Sequence, residues 1–213
     1  MALIEYCELT IFNGHFEPLN TLSNLIFAIV AITLWSYYKK KKELSGSNKT
    51  LIILLFFISI GSSFWHYFKT TLTWYFDVIP IFLFFVTFIY FLLLKIKVSS
   101  SKSIIISLLY LIGTILASFL HLTNNILKGI EGYLFTLIFL ILILIYIPFK
   151  KKELFQPILI IIIFFIIALL FRQLDLIWCK QIPFGTHFLW HITNSITAGF
   201  AIIILNKKDI TQI

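Results

Sequence analysis

The amino-acid sequence predicts an all-α membrane protein, a single bundle of seven transmembrane helices. Two observations lead to this fold class. Hydrophobic residues make up 60% of the 213 residues and charged residues only 12%, which is more apolar surface than a soluble domain of this size can bury. In addition, seven stretches of the chain reach the roughly 20 mainly apolar residues that a helix needs to cross a bilayer.

The seven predicted helices follow one another through short connections that leave no room for a second domain. Each is a run rich in Ile, Leu and Phe, and together they cover about 20–38, 50–68, 74–94, 103–121, 132–149, 156–174 and 185–205. An acidic segment at 1–19 precedes the bundle at 20–205, and the chain 1–213 is predicted to be one domain. Because segment 1–19 lacks a basic region followed by an apolar one, we expect no cleavable signal peptide.

The basic residues predict the orientation of the bundle. Thirteen of the seventeen lie on alternate connections and at the C-terminus, at 39–42, 49, 95, 97, 102, 150–152, 207 and 208. The other four, Lys69, Lys128, Arg172 and Lys180, lie on the opposite side. By the positive-inside rule the N-terminus is outside and the C-terminus cytoplasmic. The net charge of +8 is thereby explained by topology, and we expect no nucleic-acid partner.

Five polar residues stand out within or at the ends of the apolar runs. His187 and His191 are four apart in GTHFLWHITNS, Ser62 and His66 are four apart in GSSFWHYF, and Asp77 lies near the start of the next run. Residues i and i+4 share one face of a helix. In the predicted topology all five lie at the outer end of the bundle, so the sequence predicts a single polar cluster there.

This cluster predicts a catalytic zinc site. His66, His187 and His191 would bind zinc through neutral imidazoles and leave a fourth position for water, whose pKa falls toward roughly 7. Asp77 would act as general base, and Ser62 would donate to the oxyanion formed when a carbonyl is attacked. The chemistry predicted is hydrolysis of an amide or ester in a lipid. The alternative is that these side chains only hydrogen-bond across helix interfaces.

The order and spacing of these residues resemble a known superfamily. S-x-x-x-H, an Asp eleven residues on followed by x-x-P, and H-x-x-x-H in the last helix look like the seven-helix membrane hydrolases that include alkaline ceramidases and the progestin and adiponectin receptors. The segment E-P-L-N-T-L-S-N at 17–24 resembles the motif that opens the first helix of alkaline ceramidases and is not shared by the receptors. The resemblance implies a zinc-dependent enzyme that cleaves ceramide-like lipids into a sphingoid base and a fatty acid.

The same resemblance implies a calcium ion beside the zinc, held by the acidic N-terminal segment. Calcium prefers six to eight oxygen ligands, including carboxylates. The implied ligands are Glu5, Tyr6 through its backbone carbonyl, Glu8, Thr10 and Glu17. Three of these positions, 5, 6 and 10, depart from the residues of the family pattern. The alternative to a calcium site is a solvated acidic tail.

The chain has two cysteines, Cys7 and Cys179, and the predicted topology puts both outside, where disulfides form. The resemblance of F-R-Q-L-D-L-I-W-C at 171–179 to the family also implies that they are bridged. The alternative is two unpaired thiols.

The expected partner is a membrane lipid. The compact loops and the Ile and Lys bias favour a bacterial inner membrane, with the active site toward the extracytoplasmic side; an endoplasmic reticulum or Golgi membrane is also compatible. Two other functions remain open. One is a receptor-like member of the same superfamily with weak or signalling-linked hydrolysis, and the other is a metal-free structural or transport protein.

Overall fold

The computed structural model describes residues 6–11, 16–120, 129–147 and 151–206, which form helices and turns and contain no β-strand. The helices are α1 (Cys7–Ile11), α2 (Pro18–Ser23), α3 (Leu25–Lys40), α4 (Gly46–Phe68), α5 (Thr71–Lys95), α6 (Ser100–Leu120), α7 (Glu131–Tyr146), α8 (Phe155–Leu174) and α9 (His187–Ile203), and a 3-10 turn lies at Lys152–Leu154.

Helices α3 to α9 form a closed bundle. Each packs on the next in chain order, and α9 returns to pack on α3. Each of the seven predicted stretches therefore contains a helix. The segments long and apolar enough to cross a membrane are Pro18–Lys40, Gly46–Phe68, Thr71–Lys95, Ser100–Ser118 and Lys152–Leu174. These segments support a helical membrane protein. Helices α7 and α9 are shorter, with 16 and 17 residues, so the full set of seven crossings stays a prediction. The orientation of the bundle also stays a prediction.

Polar caps explain where two of the long helices begin. Ser45 accepts a hydrogen bond from the backbone N–H of Asn48 at 3.2 Å at the start of α4. Thr70 and Thr73 form a reciprocal capping box at the start of α5. Capping side chains satisfy backbone donors that have no partner inside the helix. Both helices therefore begin before the apolar runs from which they were predicted.

The first predicted helix is divided into α2 and α3, which meet at Asn24. Pro18 occupies the first turn of α2, where its missing N–H costs nothing. The amide of Asn24 donates to the backbone carbonyl of Asn20 at 2.8 Å. The motif at 17–24 thus forms a separate short helix, which packs against α4 and α9.

Helices α4 and α5 approach each other closely at Gly61. A Cβ atom at this position would collide with the backbone carbonyl of Phe76. Pro80 lies inside α5, and because proline has no N–H, the carbonyl of Phe76 lacks its usual donor four residues on. Gly61 and Pro80 together therefore let the α4 backbone pack directly on the α5 backbone beside Ser62 and Asp77.

The N-terminal segment is attached to the loop between α8 and α9. Cys7 forms a disulfide with Cys179, so the implied pairing is present. The carboxylate of Asp175, 1% exposed, accepts backbone N–H bonds from Cys7 at 2.7 Å, Thr186 at 2.7 Å and His187 at 2.9 Å. Burial raises the pKa of Asp175, and these three donors oppose the shift. Asp175 thus caps the N-terminus of α9 from outside the helix.

We expect Asp175→Ala to lower the stability of the protein by at least about 2 kcal/mol, because buried N–H groups would lose a charged acceptor. For a chain of this length the midpoint of thermal unfolding should fall by roughly 5 °C. Thermal unfolding in detergent micelles measures the change. Glu153→Ala is the matched control, since the Glu153 side chain is 55% exposed and its Oε1 lies 4.0 Å from Nζ of Lys151. An equal loss in both variants would contradict the capping role.

Candidate metal centre

Three imidazoles meet between α4 and α9. His66 comes from the last turn of α4, and His187 and His191 come from the first two turns of α9. All three residues are 1–2% exposed. One ligand nitrogen from each ring lies within 4.8 Å of the other two, and the ring centroids are 4.7–5.1 Å apart. The structure therefore brings together the three histidines that the sequence predicted to share an ion.

Glu17 holds the ring of His66. Its carboxylate contacts His66 Nδ1 and also accepts from the side-chain amide of Asn20 at 3.3 Å. The second carboxylate oxygen pairs with the ammonium group of Lys69 at 2.6 Å. Burial raises the pKa of Glu17, and the charge of Lys69 opposes the shift. Because a carboxylate only accepts, His66 donates from Nδ1 and keeps the Nε2 lone pair for a ligand.

Ser23 has the same effect on His191. Its hydroxyl donates to the backbone carbonyl of Asn20 at 3.0 Å, and its oxygen lies 2.7 Å from His191 Nδ1. Since the hydroxyl proton is already used, the oxygen accepts from Nδ1–H of the imidazole. His191 Nε2 is thereby left as an acceptor for a metal ion. Glu17 and Ser23, which orient these two rings, both belong to the segment 17–24. The sequence did not indicate that this segment holds the rings.

His187 is held differently. The ring of Tyr6 stacks on the imidazole, with centroids 3.7 Å apart, and Asp175 accepts from the His187 backbone. Its Nδ1 is buried and has no hydrogen-bond partner among the described residues. An unpartnered buried nitrogen is costly, and coordination to a divalent ion is one way to satisfy such a group.

The donor set fits zinc. Neutral imidazoles at about 2.0–2.1 Å are ordinary zinc ligands, and three protein ligands leave one position for water or substrate. A tetrahedral ion with such bonds separates its ligand nitrogens by roughly 3.3 Å, which lies within the 4.8 Å that bounds the separations of the three ligand nitrogens. Two of the three rings already have the outer hydrogen bonds that orient metal-binding histidines.

Asp77 and Ser62 lie beside the three imidazoles and line the same cavity. The carboxylate oxygen Oδ1 of Asp77 is buried without a hydrogen-bond partner among the described residues. A carboxylate oxygen in this situation is available to a water molecule or a substrate. The two residues that the sequence assigned to proton transfer and oxyanion binding are thus adjacent to the rings.

Away from this polar end, the cavity is mainly apolar, although Asn194 and Thr197 of α9 also line it. Its lining there consists mainly of large hydrophobic side chains from α3, α4, α5, α7 and α8: Phe27, Ile58, Ile81, Phe84, Phe85, Phe88, Leu140 and Ile161. A pocket with one polar end and a long apolar lining is suited to an amphipathic molecule such as a lipid.

Arg172 is a cavity residue that the sequence analysis treated only as a topology signal. Its guanidinium lies 5.3–5.7 Å from the ring centroids of Tyr6, Tyr133 and Trp190 and donates to the carbonyl of Gly129 at 3.3 Å. Its position inside the apolar run at 156–174 could have identified it, because a charge within such a run usually has a functional or structural partner.

The residues implied as calcium ligands have other contacts within the protein, where the structure describes them. Glu5 lies outside the described residues. The two oxygens of Glu8 accept the backbone N–H groups of Leu19 and Asn20 at 2.5 and 2.8 Å, and the hydroxyl of Thr10 donates to the carbonyl of Cys7 at 2.7 Å. No described contact supports the predicted calcium ion.

The ion pair between Glu17 and Lys69 is unfavourable for a calcium ion at this place. Glu17, one of the calcium ligands implied by the resemblance, is already paired with the ammonium group of Lys69. A divalent ion on the same carboxylate would lie next to a buried like charge, which is unfavourable. The described residues therefore do not fit calcium, whereas the three histidines fit zinc.

Comparison with known proteins agrees with the resemblance found in the motifs. The sequence model of the Ceramidase family matches residues 2–212, which is nearly the whole of the 213-residue chain. A search of curated proteins finds no match.

We expect Gly61→Ala to lower stability by about 1–3 kcal/mol, the usual cost of overpacking, because the added methyl group would push α4 away from the carbonyl of Phe76. Thermal unfolding measures this change. Gly46→Ala is the matched control in the same helix, since an added Cβ there meets nothing within 4 Å. Its expected effect is neutral or stabilising by up to about 1 kcal/mol, because alanine is the better helix former. Equal tolerance of both substitutions would be inconsistent with a direct backbone contact.

Proposed function

Since the chain belongs to the ceramidase family, we propose that it is a zinc-dependent hydrolase working within the membrane, with its reacting groups at the polar end of the helical bundle. Family membership makes it an amidohydrolase that acts on ceramide, an amide of a sphingoid base and a fatty acid. The proposal adds the metal, the residues that hold it and the division of roles among the polar side chains.

The observation that carries the proposal is the meeting of three buried imidazoles at one end of an apolar cavity. His66, His187 and His191 would hold the ion. Zinc bound by three imidazoles supplies Lewis acidity and lowers the pKa of water toward about 7. The outer hydrogen bonds from Glu17 and Ser23 support this role, because they keep two rings in the tautomer that a metal ion requires.

Asp77 accepts the proton of the attacking water and returns it to the amide nitrogen of the leaving sphingoid base. Its free oxygen and its place in the cavity lining support this assignment. Proton transfer by a positioned carboxylate contributes roughly 10²- to 10⁴-fold to the rate.

Ser62 donates to the carbonyl oxygen as negative charge develops on it. Ser62 lines the same cavity as Asp77 and the histidines, and a rotation about its Cβ–Oγ bond can direct the hydroxyl proton to the substrate. A single donor of this kind is worth roughly 10²- to 10³-fold in rate.

The apolar part of the cavity takes a hydrocarbon chain of the lipid. Phe84, Phe88 and Leu140 are among the side chains that line it, and burying a hydrocarbon chain against them contributes about 0.8 kcal/mol per CH₂ group. The amide then lies where the polar end begins, beside Asp77 and the histidines.

The test is to purify the full-length protein in detergent, measure its metal content by elemental analysis, and assay amide hydrolysis on a panel of N-acyl lipids. We expect about one zinc per wild-type chain and its loss in His187→Ala. Asp77→Asn should retain zinc but hydrolyse ceramide roughly 10²- to 10⁴-fold more slowly, and Ser62→Ala roughly 10²- to 10³-fold more slowly.

Ser63→Ala is the matched control. Ser63 neighbours Ser62 in α4, but its hydroxyl donates to the backbone carbonyl of Thr21 at 3.2 Å, and we expect it to keep zinc and activity. A wild-type protein without zinc would remove the metal from the proposal. Undiminished hydrolysis by Asp77→Asn and Ser62→Ala would remove the roles given to those side chains.

A further inference from the structure

Lys69 is a buried cation next to the candidate metal centre. Its side chain is 8% exposed, and its ammonium nitrogen lies 2.6 Å from Glu17 Oε1. The same nitrogen is 4.6 Å from the ring centroid of Trp65 and 5.0 Å from that of Tyr6. Two aromatic faces and a carboxylate thus enclose one ammonium group, an arrangement that favours a fixed positive charge.

We propose that Lys69 is a positioning residue of the metal centre. Its ammonium group is the built-in cation that holds the Glu17 carboxylate against His66, so that the N-terminal acidic segment needs no calcium ion. The inference rests on the proposed function to the extent that His66 binds zinc, and it concerns a residue that touches neither the metal nor the substrate.

The first step is the need of Glu17 for a positive partner. Glu17 is fully buried, and a buried carboxylate without a compensating charge is strongly unfavourable. Its two oxygens have different partners. Oε1 pairs with Lys69 and Oε2 contacts His66 Nδ1. Because both oxygens belong to one carboxylate, the ion pair of Oε1 with Lys69 also fixes the direction from which Oε2 approaches the imidazole of His66.

The second step is the local rigidity of this unit. Lys69 follows His66 by one turn and ends α4, with its backbone N–H donating to the carbonyl of Trp65 at 3.0 Å. The backbone N–H of Glu17 donates to the carbonyl of His66, also at 3.0 Å. Glu17 is thus bound to the end of α4 through its backbone and through both carboxylate oxygens, and a change at Lys69 is transmitted directly to the ring of His66.

The third step is that the other acidic side chain described in this segment already has its own partners. Glu8 accepts from two backbone N–H groups in the first turns of α2, where a helix N-terminus favours negative charge. Lys69 in turn is attracted by Glu17, Asp77 and Glu8. Glu17 is therefore the described carboxylate of this segment that needs a positive partner, and Lys69 supplies it where a calcium ion was expected from the resemblance.

The experiment compares Lys69→Met and Lys69→Arg with Lys97→Met as the matched control. Lys97 lies just beyond the C-terminal end of α5, with a positive φ of 65° similar to the 52° of Lys69, but its side chain is exposed. The dissociation constant for zinc is measured on each purified protein by competition with a chromophoric chelator. We expect Lys69→Met to weaken zinc binding about 10- to 100-fold, as loss of an outer contact does, Lys69→Arg to restore most of it, and Lys97→Met to leave it unchanged.

A double-mutant cycle with Glu17→Gln separates positioning from simple packing. If Lys69 acts through Glu17, Lys69→Met should have little further effect on zinc affinity in the Glu17→Gln protein. An undiminished effect of Lys69→Met in that background would overturn the inference, and so would wild-type zinc affinity in Lys69→Met. Absence of zinc from the wild-type protein would instead count against the proposed function.

Calcium provides a measurement that does not depend on the folding of any variant. The wild-type protein is exchanged into calcium-free buffer that contains zinc, its calcium content is measured, and its thermal unfolding is followed as calcium chloride is added up to millimolar concentration. We expect no retained calcium and no shift in the unfolding temperature. One equivalent of retained calcium, or a rise in unfolding temperature as calcium is added, would show that an ion and not Lys69 neutralises this segment.

Discussion

Inside the apolar bundle, the imidazoles depend on hydrogen-bond acceptors supplied by the short helix α2 and the residue before it. Glu17 contacts His66 and Ser23 contacts His191, and neither pair is close in sequence. For an imidazole that is only 1–2% exposed, the direction of the ring is set by the acceptor within its reach. The attachment of α2 to α4 and α9 therefore decides which nitrogen atoms face the centre of the site.

The position of α2 in turn depends on contacts at the end of the bundle that carries the three histidines. The Cys7–Cys179 disulfide and the carboxylate of Asp175 connect the N-terminal segment to the loop before α9. Asp175 also caps the helix that carries two of the histidines. The buried carboxylate of Asp175 thus connects the disulfide-bonded N-terminal segment to the start of the helix that carries His187. A second, Glu17, links α2 to the end of α4 in the same way.

Much of the site could be predicted from the spacing of polar residues in the sequence alone. An i, i+4 pair puts two side chains on one face of a helix, and the lysine pattern predicted that the ends of three helices bearing Ser62, His66, Asp77, His187 and His191 share one level. These five residues do line one cavity. That they lie together could be predicted because helix periodicity and the pattern of apolar and basic residues are local or compositional properties. The implied calcium site had no such basis, and the chain places Lys69 against Glu17, one of its implied ligands.

The sequence by itself determined that the chain is helical and membrane-embedded, where its long helices lie, and which polar side chains cluster. Apolar runs and their polar boundaries carry that information without reference to the rest of the chain. Only the tertiary structure decided the partners within the cluster: Glu17 with His66 and Lys69, Ser23 with His191, and the close contact at Gly61. These pairs join segments distant in sequence, and their geometry depends on how far each helix is rotated and how closely it packs, which hydrophobic periodicity does not specify.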